Sequence, residues 1–250
     1  MTAYEPQYVE YTITDAMMRV SLGEGQHMPA YWAHPLLGTK FPGIVLVHDW
    51  WGLTPVIRRM ATMFAQLGHY VMVPDLFNGQ IADTPKQAIE LVENSRQHHL
   101  DYINTALTAL AQHHHCNKSL AVVGVGMGGS LAFASAIGQD NLDACVAFSG
   151  FPNRFIGKFH HAQSPICAFY GAKEPHIKAE VIQAMRGELS NQKDRFPHEI
   201  HIIPHMGHDF FTEDIPSHLQ PVSRQVIGLA LAFLDRHLVS PTKQGDRWVR

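Results

Sequence analysis

Short apolar runs alternate with segments of helical periodicity along most of this chain. Continuous apolar runs are typical of strands buried on both faces of a parallel sheet, and they occupy residues 43–48, 70–74, 121–125, 144–148 and 166–170. Apolar positions recur at helical spacing in residues 54–67, 85–113, 127–137, 177–189 and 219–238. Residues 198–203 predict one more strand. Strands that alternate with helices in this way predict a doubly wound, mostly parallel α/β sheet.

The first residues of the chain follow a different pattern. Residues 8–22 alternate between apolar and polar positions, residues 23–25 are a glycine-rich turn, and residues 27–34 return as a second strand. This pattern predicts an antiparallel hairpin within residues 1–35. Residues 240–250 have the composition of an extended surface tail. Because no repeat or composition shift divides the chain, we expect a single domain over residues 1–250.

Turn residues refine the ends of two helices. Thr54 is expected to cap the first helix, with Pro55 in its first turn and Gly68 at its end. The second helical segment is expected to break near Ser95.

Composition and charge limit the class of protein. The chain has 250 residues, of which 46% are apolar and 16% charged, as in soluble globular domains. A net charge of −3 gives no basic surface for nucleic acid or anionic membranes. No apolar run approaches the roughly 20 residues of a membrane span, and the first thirty residues carry no signal-peptide pattern. We therefore expect a cytoplasmic protein that binds neither nucleic acid nor a membrane.

Cysteines and histidines give no reason to expect a metal or cofactor. Cys116, Cys145 and Cys167 have no paired spacing, and the last two fall in predicted strands, which favours buried reduced thiols. Eighteen histidines include adjacent groups at residues 98–99, 113–116 and 160–161. Neighbouring residues of a helix point in different directions, whereas ligands on one face need a spacing of four. The prediction is therefore no metal site.

A glycine cluster marks the most informative stretch of the sequence. Within residues 120–137, a β-branched run leads into glycines that open a helix of small residues. This is the pattern of a nucleophile elbow, the Gly-x-Ser-x-Gly turn that raises a reactive side chain above a sheet. Gly124 and Gly128 are the flanking glycines, so the nucleophile position is Gly126. The turn is therefore predicted without a nucleophilic side chain.

Two more stretches are expected to meet that turn. Residues 170–176 and 204–211 also follow predicted strands, and the carboxyl ends of parallel strands lie along one edge of a sheet. They contain Glu174 and His208. The chain order of turn, acid and histidine matches that of α/β-hydrolases.

Four motifs together resemble the dienelactone hydrolase family, over about residues 43–238. They are His-Asp-Trp-Trp-Gly-Leu at 48–53, Tyr-Val-Met-Val-Pro-Asp-Leu-Phe at 70–77, Gly-Val-Gly-Met-Gly-Gly at 124–129 and Gly-His-Asp-Phe at 207–210. The third matches the family's Gly-x-Cys-x-Gly-Gly elbow except at the nucleophile. The resemblance implies an α/β-hydrolase fold and cofactor-free hydrolysis of carboxylic esters or lactones by a nucleophile–histidine–acid triad.

The resemblance also assigns roles to individual residues. His208 takes the place of the base and Glu174 that of the acid, which is more often Asp in the family; the alternatives are a loop histidine and a surface glutamate without chemistry. The backbone N–H groups of Trp50 and Met127 take the positions of the oxyanion hole. These two donors belong to the backbone, so they do not depend on the side chain at position 126.

Two neighbours of these residues have two interpretations each. Asp49 matches a family carboxylate close to the nucleophile, but it is equally an Asp that fixes a turn. Trp50 and Trp51 either line an acyl pocket or contribute to packing alone.

Two loops bear on the substrate. Members of the family that cleave dienelactone hold its carboxylate with arginines, which are absent here at residues 78–80 and 211–214. Glu213 and Asp214 would repel an anion. A small neutral ester or lactone is the expected substrate.

Gly126 leaves three explanations open. It replaces the nucleophile, by engineering or sporadically, in an otherwise competent hydrolase, or it marks a catalytically silent homologue that binds a small molecule in the former active-site pocket. In the third explanation, Glu174 and His208 activate a water directly. Glycine adopts without strain the positive φ that this turn requires, so the turn itself is expected to persist in all three.

Overall fold

A computed structural model describes residues 10–36, 39–211 and 220–239. Its eight strands form one sheet with the order β1-β2-β4-β3-β5-β6-β7-β8. They are β1 (Ile13–Gly23), β2 (Gln26–Pro35), β3 (Phe41–Val47), β4 (Tyr70–Pro74), β5 (Cys116–Val125), β6 (Ala144–Phe148), β7 (Ile166–Gly171) and β8 (Glu199–Ile203). The strands from β4 to β8 in this order pair in parallel, while the β1–β2 hairpin joins β4 in antiparallel orientation. The predicted α/β class and N-terminal hairpin are confirmed.

Helices cover both faces of the sheet. They are α1 (Pro55–Gln66), α2 (Pro85–Ser95), α3 (His99–Gln112), α4 (Met127–Gly138), α5 (Ala179–Ser190) and α6 (Gln220–His237). One apolar cluster joins the sheet to α3, α4 and α5, and a second joins it to α1 and α6. In the part of the chain that the structure describes, no helix is both long and apolar enough to span a bilayer.

The continuous apolar runs are explained by this double covering. In β3, Val45 and Val47 pack into the first cluster, while Ile44 and Leu46 pack into the second. All four side chains are fully buried. Burying an aliphatic side chain of this size contributes about 1.5–3 kcal/mol, so the central strands supply much of the driving force for folding.

Most predicted boundaries lie within two or three residues of the observed ones, and β5 is the main exception. It begins at Cys116, five residues before the predicted start at 121. Its first residues include Asn117 and Ser119, whose polar side chains find partners from other elements: the Ser119 hydroxyl donates to a carboxylate oxygen of Asp143 at 2.6 Å, and the Asn117 amide donates to the carbonyl oxygen of Val239. Polar residues satisfied by side-chain partners are invisible to a search for apolar runs.

Three other expectations need comment. Thr54 occupies the N-cap position of α1, but its side chain makes no capping hydrogen bond. The predicted break near Ser95 is a single 3-10 turn at Arg96–His98 between α2 and α3. The start of the predicted first strand, at residues 8–9, and the predicted tail at residues 240–250 lie outside the described residues.

The topology places five loops along one edge of the sheet. Each follows the carboxyl end of a parallel strand, and this is where ligand sites of open α/β sheets form. The segments after β3, β5, β6, β7 and β8 carry the residues 48–54, 126, 149–155, 172–178 and 204–211. All of the sequence-predicted site residues fall in these segments or at the first residue of α4.

Candidate active site

The turn between β5 and α4 has the geometry that the glycine cluster predicts. Gly126 has φ 54° and ψ −114° and lies immediately before the helix. Its N–H donates to the carbonyl oxygen of Phe148 at 2.8 Å. A Cβ at Gly124 would lie 2.0 Å from the carbonyl oxygen of Gly128, and one at Gly128 would lie 2.2 Å from that of Val47. Both flanking glycines are therefore required by the close approach of α4 to the sheet.

Position 126 itself is not crowded. A Cβ built on Gly126 would have Asp49 Cβ at 3.4 Å as its nearest contact, which is ordinary van der Waals distance. The positive φ would strain a non-glycine residue by about 1–3 kcal/mol. Space alone would therefore permit a side chain at position 126, but the positive φ would strain it.

The acid and the histidine form a hydrogen-bonded pair. His208 Nδ1 lies 2.7 Å from Glu174 Oε2, and the side chains are 17% and 3% exposed. With Nδ1–H donating to the carboxylate, Nε2 on the opposite side of the ring is the nitrogen that can exchange a proton with a substrate. Glu174 Oε1 accepts from the backbone N–H of His176 at 2.8 Å, which holds the longer glutamate side chain in place.

Backbone contacts fix the two loops that carry this pair. A Cβ at Gly171 would lie 2.1 Å from the carbonyl oxygen of Gly207, so the acid loop and the histidine loop pack directly against each other. The buried hydroxyl of Ser149 donates to the carbonyl oxygen of His208. The histidine loop is therefore held both by the end of β7 and by the end of β6.

The two residues assigned to the oxyanion hole line the same cavity as Gly126 and His208. Met127 is the first residue of α4. The first N–H groups of a helix have no partner within it and point toward its positive end. Trp50 belongs to the segment after β3, in which the Cβ of Asp49 lies 3.4 Å from the position of a Cβ on Gly126. Negative charge on an oxygen bound beside Met127 would be stabilised by the positive end of α4.

Asp49 has both of the features that the sequence left as alternatives. Its Oδ1 accepts from the backbone N–H of Trp51 at 2.9 Å, as in an Asx turn. It also lines the cavity beside Gly126. Burial raises the pKa of its carboxyl to about 6, the Trp51 N–H opposes this, and the charge of Asp209 adds to it.

His48 is a structural residue that the sequence did not single out for a role. Its Nδ1 lies 2.7 Å from the carbonyl oxygen of Asp49 and donates to it, while Nε2 accepts from the backbone N–H of Leu76 at 3.1 Å. Burial lowers the pKa of this fully buried imidazole to about 4. The neutral ring thereby ties the segment after β3 to the segment after β4. This role depends on the backbone N–H of Leu76, which follows the neighbouring strand β4, so no local motif indicates it.

A cavity of about 930 Å³ opens above these residues. Apolar side chains form much of its wall. Trp50 and Trp51 are among them, so of the two interpretations given above the structure supports lining of the cavity over packing alone. The apolar lining residues are Trp50, Trp51, Ile89, Val92, Val125, Met127, Leu131, Phe151 and Phe155.

Three charged side chains of the wall were missed by sequence reasoning. Glu93 lies on α2, Arg96 lies in the 3-10 turn that follows it, and Arg154 lies in a second 3-10 turn at Asn153–Phe155. Both arginines are exposed. Neither occupies a position where the family places its arginines, and no motif surrounds them. These three side chains reach the cavity because the end of α2 and the segment after β6 lie beside it, which is a tertiary arrangement.

Possible metal ligands lie elsewhere. In the described part of the chain, one group of three ligand atoms lies close together, at Cys167, Glu199 and His201. Glu199 pairs with Arg236 and, at 2.9 Å, with His201. Burial raises the pKa of the Cys167 thiol well above its ordinary value. Glu199 and His201 therefore belong to a polar cluster with Arg236 beside Cys167 on β7 and β8, and these residues do not line the cavity.

Comparison with known proteins gives a consistent family assignment. The model of the dienelactone hydrolase family matches residues 28–236. The chain is 26% identical to protein usf of Aquifex pyrophilus, over 86% of this chain and 95% of that protein. It is 26% identical to the carboxymethylenebutenolidase of Rhodococcus opacus, over 67% and 69% of the two chains. A dienelactone hydrolase-like promiscuous phosphotriesterase from metagenomic libraries superposes with a TM-score of 0.73, at 20% identity, over 89% of this chain and 98% of that one. The solved structure shares the fold.

Proposed function

The chain belongs to the dienelactone hydrolase family, and we propose that it hydrolyses a small carboxylic ester or lactone in the cavity above Gly126. The observation that carries the proposal is the His208–Glu174 pair, whose 2.7 Å hydrogen bond persists beside a position that has no nucleophilic side chain. An imidazole oriented by a buried carboxylate is the general base of the triad enzymes. In this proposal, His208 has this role and the backbone N–H groups of Met127 and Trp50 are the oxyanion donors.

Water takes the role of the elbow side chain in this mechanism. His208 Nε2 accepts a proton from the water as its oxygen bonds to the ester carbonyl carbon, and the carbonyl electron pair moves onto oxygen. The N–H groups of Met127 and Trp50 stabilise that oxyanion. When the C–O bond to the leaving group breaks, the imidazolium returns the proton to the departing alkoxide. The products are an acid and an alcohol, and the enzyme is regenerated.

Turnover by this route is expected to be slow. When the members of a triad are removed from a serine protease, the remaining oxyanion hole and binding contacts still accelerate hydrolysis roughly 10³–10⁴-fold over water. Direct attack by water avoids an acyl-enzyme intermediate, so the acid and the alcohol are released in the same turnover and no burst phase is expected.

The proposed substrate is small, and a neutral ester is favoured. Asn78, Gly79 and Gln80 are exposed and carry no guanidinium, whereas the family holds a substrate carboxylate with an arginine near this position. Arg96 and Arg154 in the cavity wall offer another place for an acidic group. Hydrolysis of p-nitrophenyl acetate compared with that of an anionic p-nitrophenyl hemisuccinate distinguishes these two substrate classes.

Gly126 favours a second candidate, a catalytically silent homologue that binds a small molecule in the same cavity. Such a protein would show no turnover, but it would melt at a higher temperature in the presence of its ligand. A screen of small lactones and carboxylic acids by thermal shift tests this candidate independently of catalysis.

The hydrolase proposal is tested with the wild type and His208→Ala on p-nitrophenyl acetate and butyrate. We expect the wild type to exceed His208→Ala by at least tenfold in kcat/KM. His205→Ala is a matched control, because His205 is exposed and does not line the cavity. Equal rates for the wild type and His208→Ala would overturn the proposal.

A further inference from the structure

We propose that His99 is a specificity-determining residue of this cavity, and that its Nδ1 accepts a hydrogen bond from a phenol hydroxyl of the substrate. This inference deepens the hydrolytic function proposed above and rests on it for the reaction. It narrows the expected substrate to a neutral ester or lactone that carries a hydroxyaryl group.

Among the described residues, the cavity wall contains two buried polar side chains, those of His99 and Ser149. His99 is 4% exposed and Ser149 is 2% exposed, whereas Arg96 and Arg154 of the same wall are exposed. The Ser149 hydroxyl donates to the backbone carbonyl of His208, so its hydrogen is already engaged. The buried polar side chain that remains is the imidazole of His99, at the start of α3.

Two hydrogen bonds determine which nitrogen of this imidazole is protonated. Ser95 Oγ lies 2.7 Å from the carbonyl oxygen of Leu91 and 2.7 Å from His99 Nε2. A hydroxyl has one hydrogen, and a carbonyl oxygen can only accept. The Ser95 hydroxyl therefore donates to Leu91 and accepts from the Nε2–H of His99. In this neutral tautomer, Nδ1 carries no hydrogen and has a lone pair to offer.

The Nδ1 atom of His99 borders the cavity. In the described part of the chain no hydrogen bond reaches this atom, yet it is not one of the fully buried side-chain atoms that lack a partner. Nδ1 therefore keeps contact with open space. Because His99 lines the cavity and is otherwise buried, that space is the cavity. A nearly buried acceptor without a partner is costly, so a hydrogen-bond donor on a bound molecule is favoured at this point.

The charge state of His99 limits the kind of group that it can recognise. Burial lowers the pKa of His99 to about 4, and the neighbouring imidazoles of His48 and His98 lower it further. The ring is therefore neutral at neutral pH, and Nδ1 remains an acceptor. A carboxylate has no hydrogen to donate to such an atom, whereas a hydroxyl does. The site thus selects a neutral donor over an anion.

The surroundings of His99 favour an aromatic carrier for that hydroxyl. The ring of Phe77 packs against the imidazole with centroids 6.1 Å apart, and Val92 on α2 lines the same cavity. Trp50 and Trp51 add aromatic side chains to its wall, and the volume of about 930 Å³ is large enough for an aryl group. Apolar walls with a few polar atoms that fix orientation are typical of small-molecule sites. A phenol matches both features, because it joins a flat apolar ring to one donor.

A pair of substrates that differ in one donor tests this assignment. They are p-nitrophenyl 3-(4-hydroxyphenyl)propanoate and its 4-methoxy analogue. We expect the wild type to prefer the phenol at least fivefold in kcat/KM, because the methyl ether leaves the buried acceptor unpaired. His99→Phe removes the acceptor and should bring the ratio to within twofold of one. His98→Phe is the matched control, because His98 is exposed and does not line the cavity; it should keep the wild-type ratio.

A second measurement needs neither turnover nor a variant. In the ¹⁵N-labelled wild type, the imidazole nitrogens of His99 are followed by NMR while p-cresol is added, with 4-methylanisole as the control ligand. We expect the resonance of the unprotonated Nδ1 to move when p-cresol donates to it, while Nε2 stays protonated by virtue of its bond to Ser95. The anisole should leave Nδ1 unchanged. A histidine with a purely structural role would not distinguish the two ligands.

The outcomes separate this assignment from the hydrolase proposal. If the wild type exceeds His208→Ala in hydrolysis but prefers the phenol less than fivefold, the role of His99 is wrong and the hydrolase proposal stands. A preference that persists in His99→Phe, or an Nδ1 resonance that p-cresol does not move, also overturns that role. If the wild type does not exceed His208→Ala but p-cresol moves Nδ1, the hydrolase proposal fails and His99 is a ligand contact of the silent homologue.

Discussion

Replacing Gly126 by serine or cysteine is the most direct perturbation of this site. The structure gives the new side chain room, since its Cβ would meet only Asp49 Cβ, at 3.4 Å. It would rise from the turn between β5 and α4 into the cavity that His208 lines. We expect both variants to gain a nucleophile that His208 can deprotonate, and so to hydrolyse activated esters faster than the wild type.

The magnitude follows from triad energetics and from the backbone. Removing the nucleophile of an established triad costs roughly 2 × 10⁶ in kcat, so even a poorly aligned replacement should recover at least tenfold in kcat/KM. The residue at position 126 has φ 54°, and a non-glycine residue in this region costs about 1–3 kcal/mol in the free energy of unfolding. At about 2–4 °C per kcal/mol for a chain of this size, the melting temperature should fall measurably.

The assay compares the wild type, Gly126→Ser, Gly126→Cys and Gly126→Ala on p-nitrophenyl acetate and butyrate, with urea unfolding of each. Gly126→Ala is the matched control, because it carries the same backbone strain without a nucleophile. Gly126→Ser combined with His208→Ala should lose the gain. If neither variant exceeds the wild type tenfold while both remain folded, the idea that the rest of the machinery is retained is refuted.

Three further predictions concern the acid, the buried histidines and the thiols. Glu174→Gln should lower kcat/KM at least tenfold with little change in KM, because the amide no longer stabilises the imidazolium; a loss confined to KM would contradict this. The free energy of unfolding should fall as the pH drops from 6.5 to 4, by up to about 1.4 kcal/mol per pH unit for each histidine whose pKa is lowered to about 4. The native state resists protonating these rings while the unfolded chain accepts protons. The raised pKa values of Asp49 and Asp75 act in the opposite sense, but the four histidines outnumber the two carboxyls. Urea titrations at pH 7 and pH 5 measure the difference, and equal values would refute it. The histidines concerned are His48, His69, His99 and His198. The buried thiols Cys116, Cys145 and Cys167 should react with an aromatic disulfide reagent only after unfolding, and rapid labelling of the native protein would show the packing to be wrong.

The sequence was sufficient for features that depend on local pattern. The apolar runs of β3 and β6 located those strands closely because both of their faces are buried. The spacing of Gly124, Gly126 and Gly128 located the turn because Gly126 adopts its positive φ and Gly124 lies against the carbonyl of Gly128 within the same short segment, although Gly128 is also required by its contact with Val47.

Features that depend on tertiary contacts were not accessible in this way. Arg96 and Arg154 reach the cavity from two 3-10 turns that no periodicity predicts. The role of His48 depends on the N–H of Leu76, which is 28 residues away in the chain. The early start of β5 depends on a serine hydroxyl satisfied by Asp143. In each case the deciding partner comes from another element, so the residue's own neighbours carry no signal.

The contact between Gly171 and the carbonyl oxygen of Gly207 has a consequence for how this site can change over time. The acid and the base are placed by two backbones that touch, while position 126 is placed by the packing of α4 on β3 and β5. The two halves of the site share the end of β6, where Phe148 accepts from the Gly126 N–H and Ser149 donates to His208, but the contact between the acid and histidine loops does not involve position 126. A side chain at 126 can be lost, regained or exchanged without moving the proton-transfer pair, whereas any side chain at 171 would push the two loops apart. The residue at position 126 can thus change while the loops that carry Glu174 and His208 keep their positions.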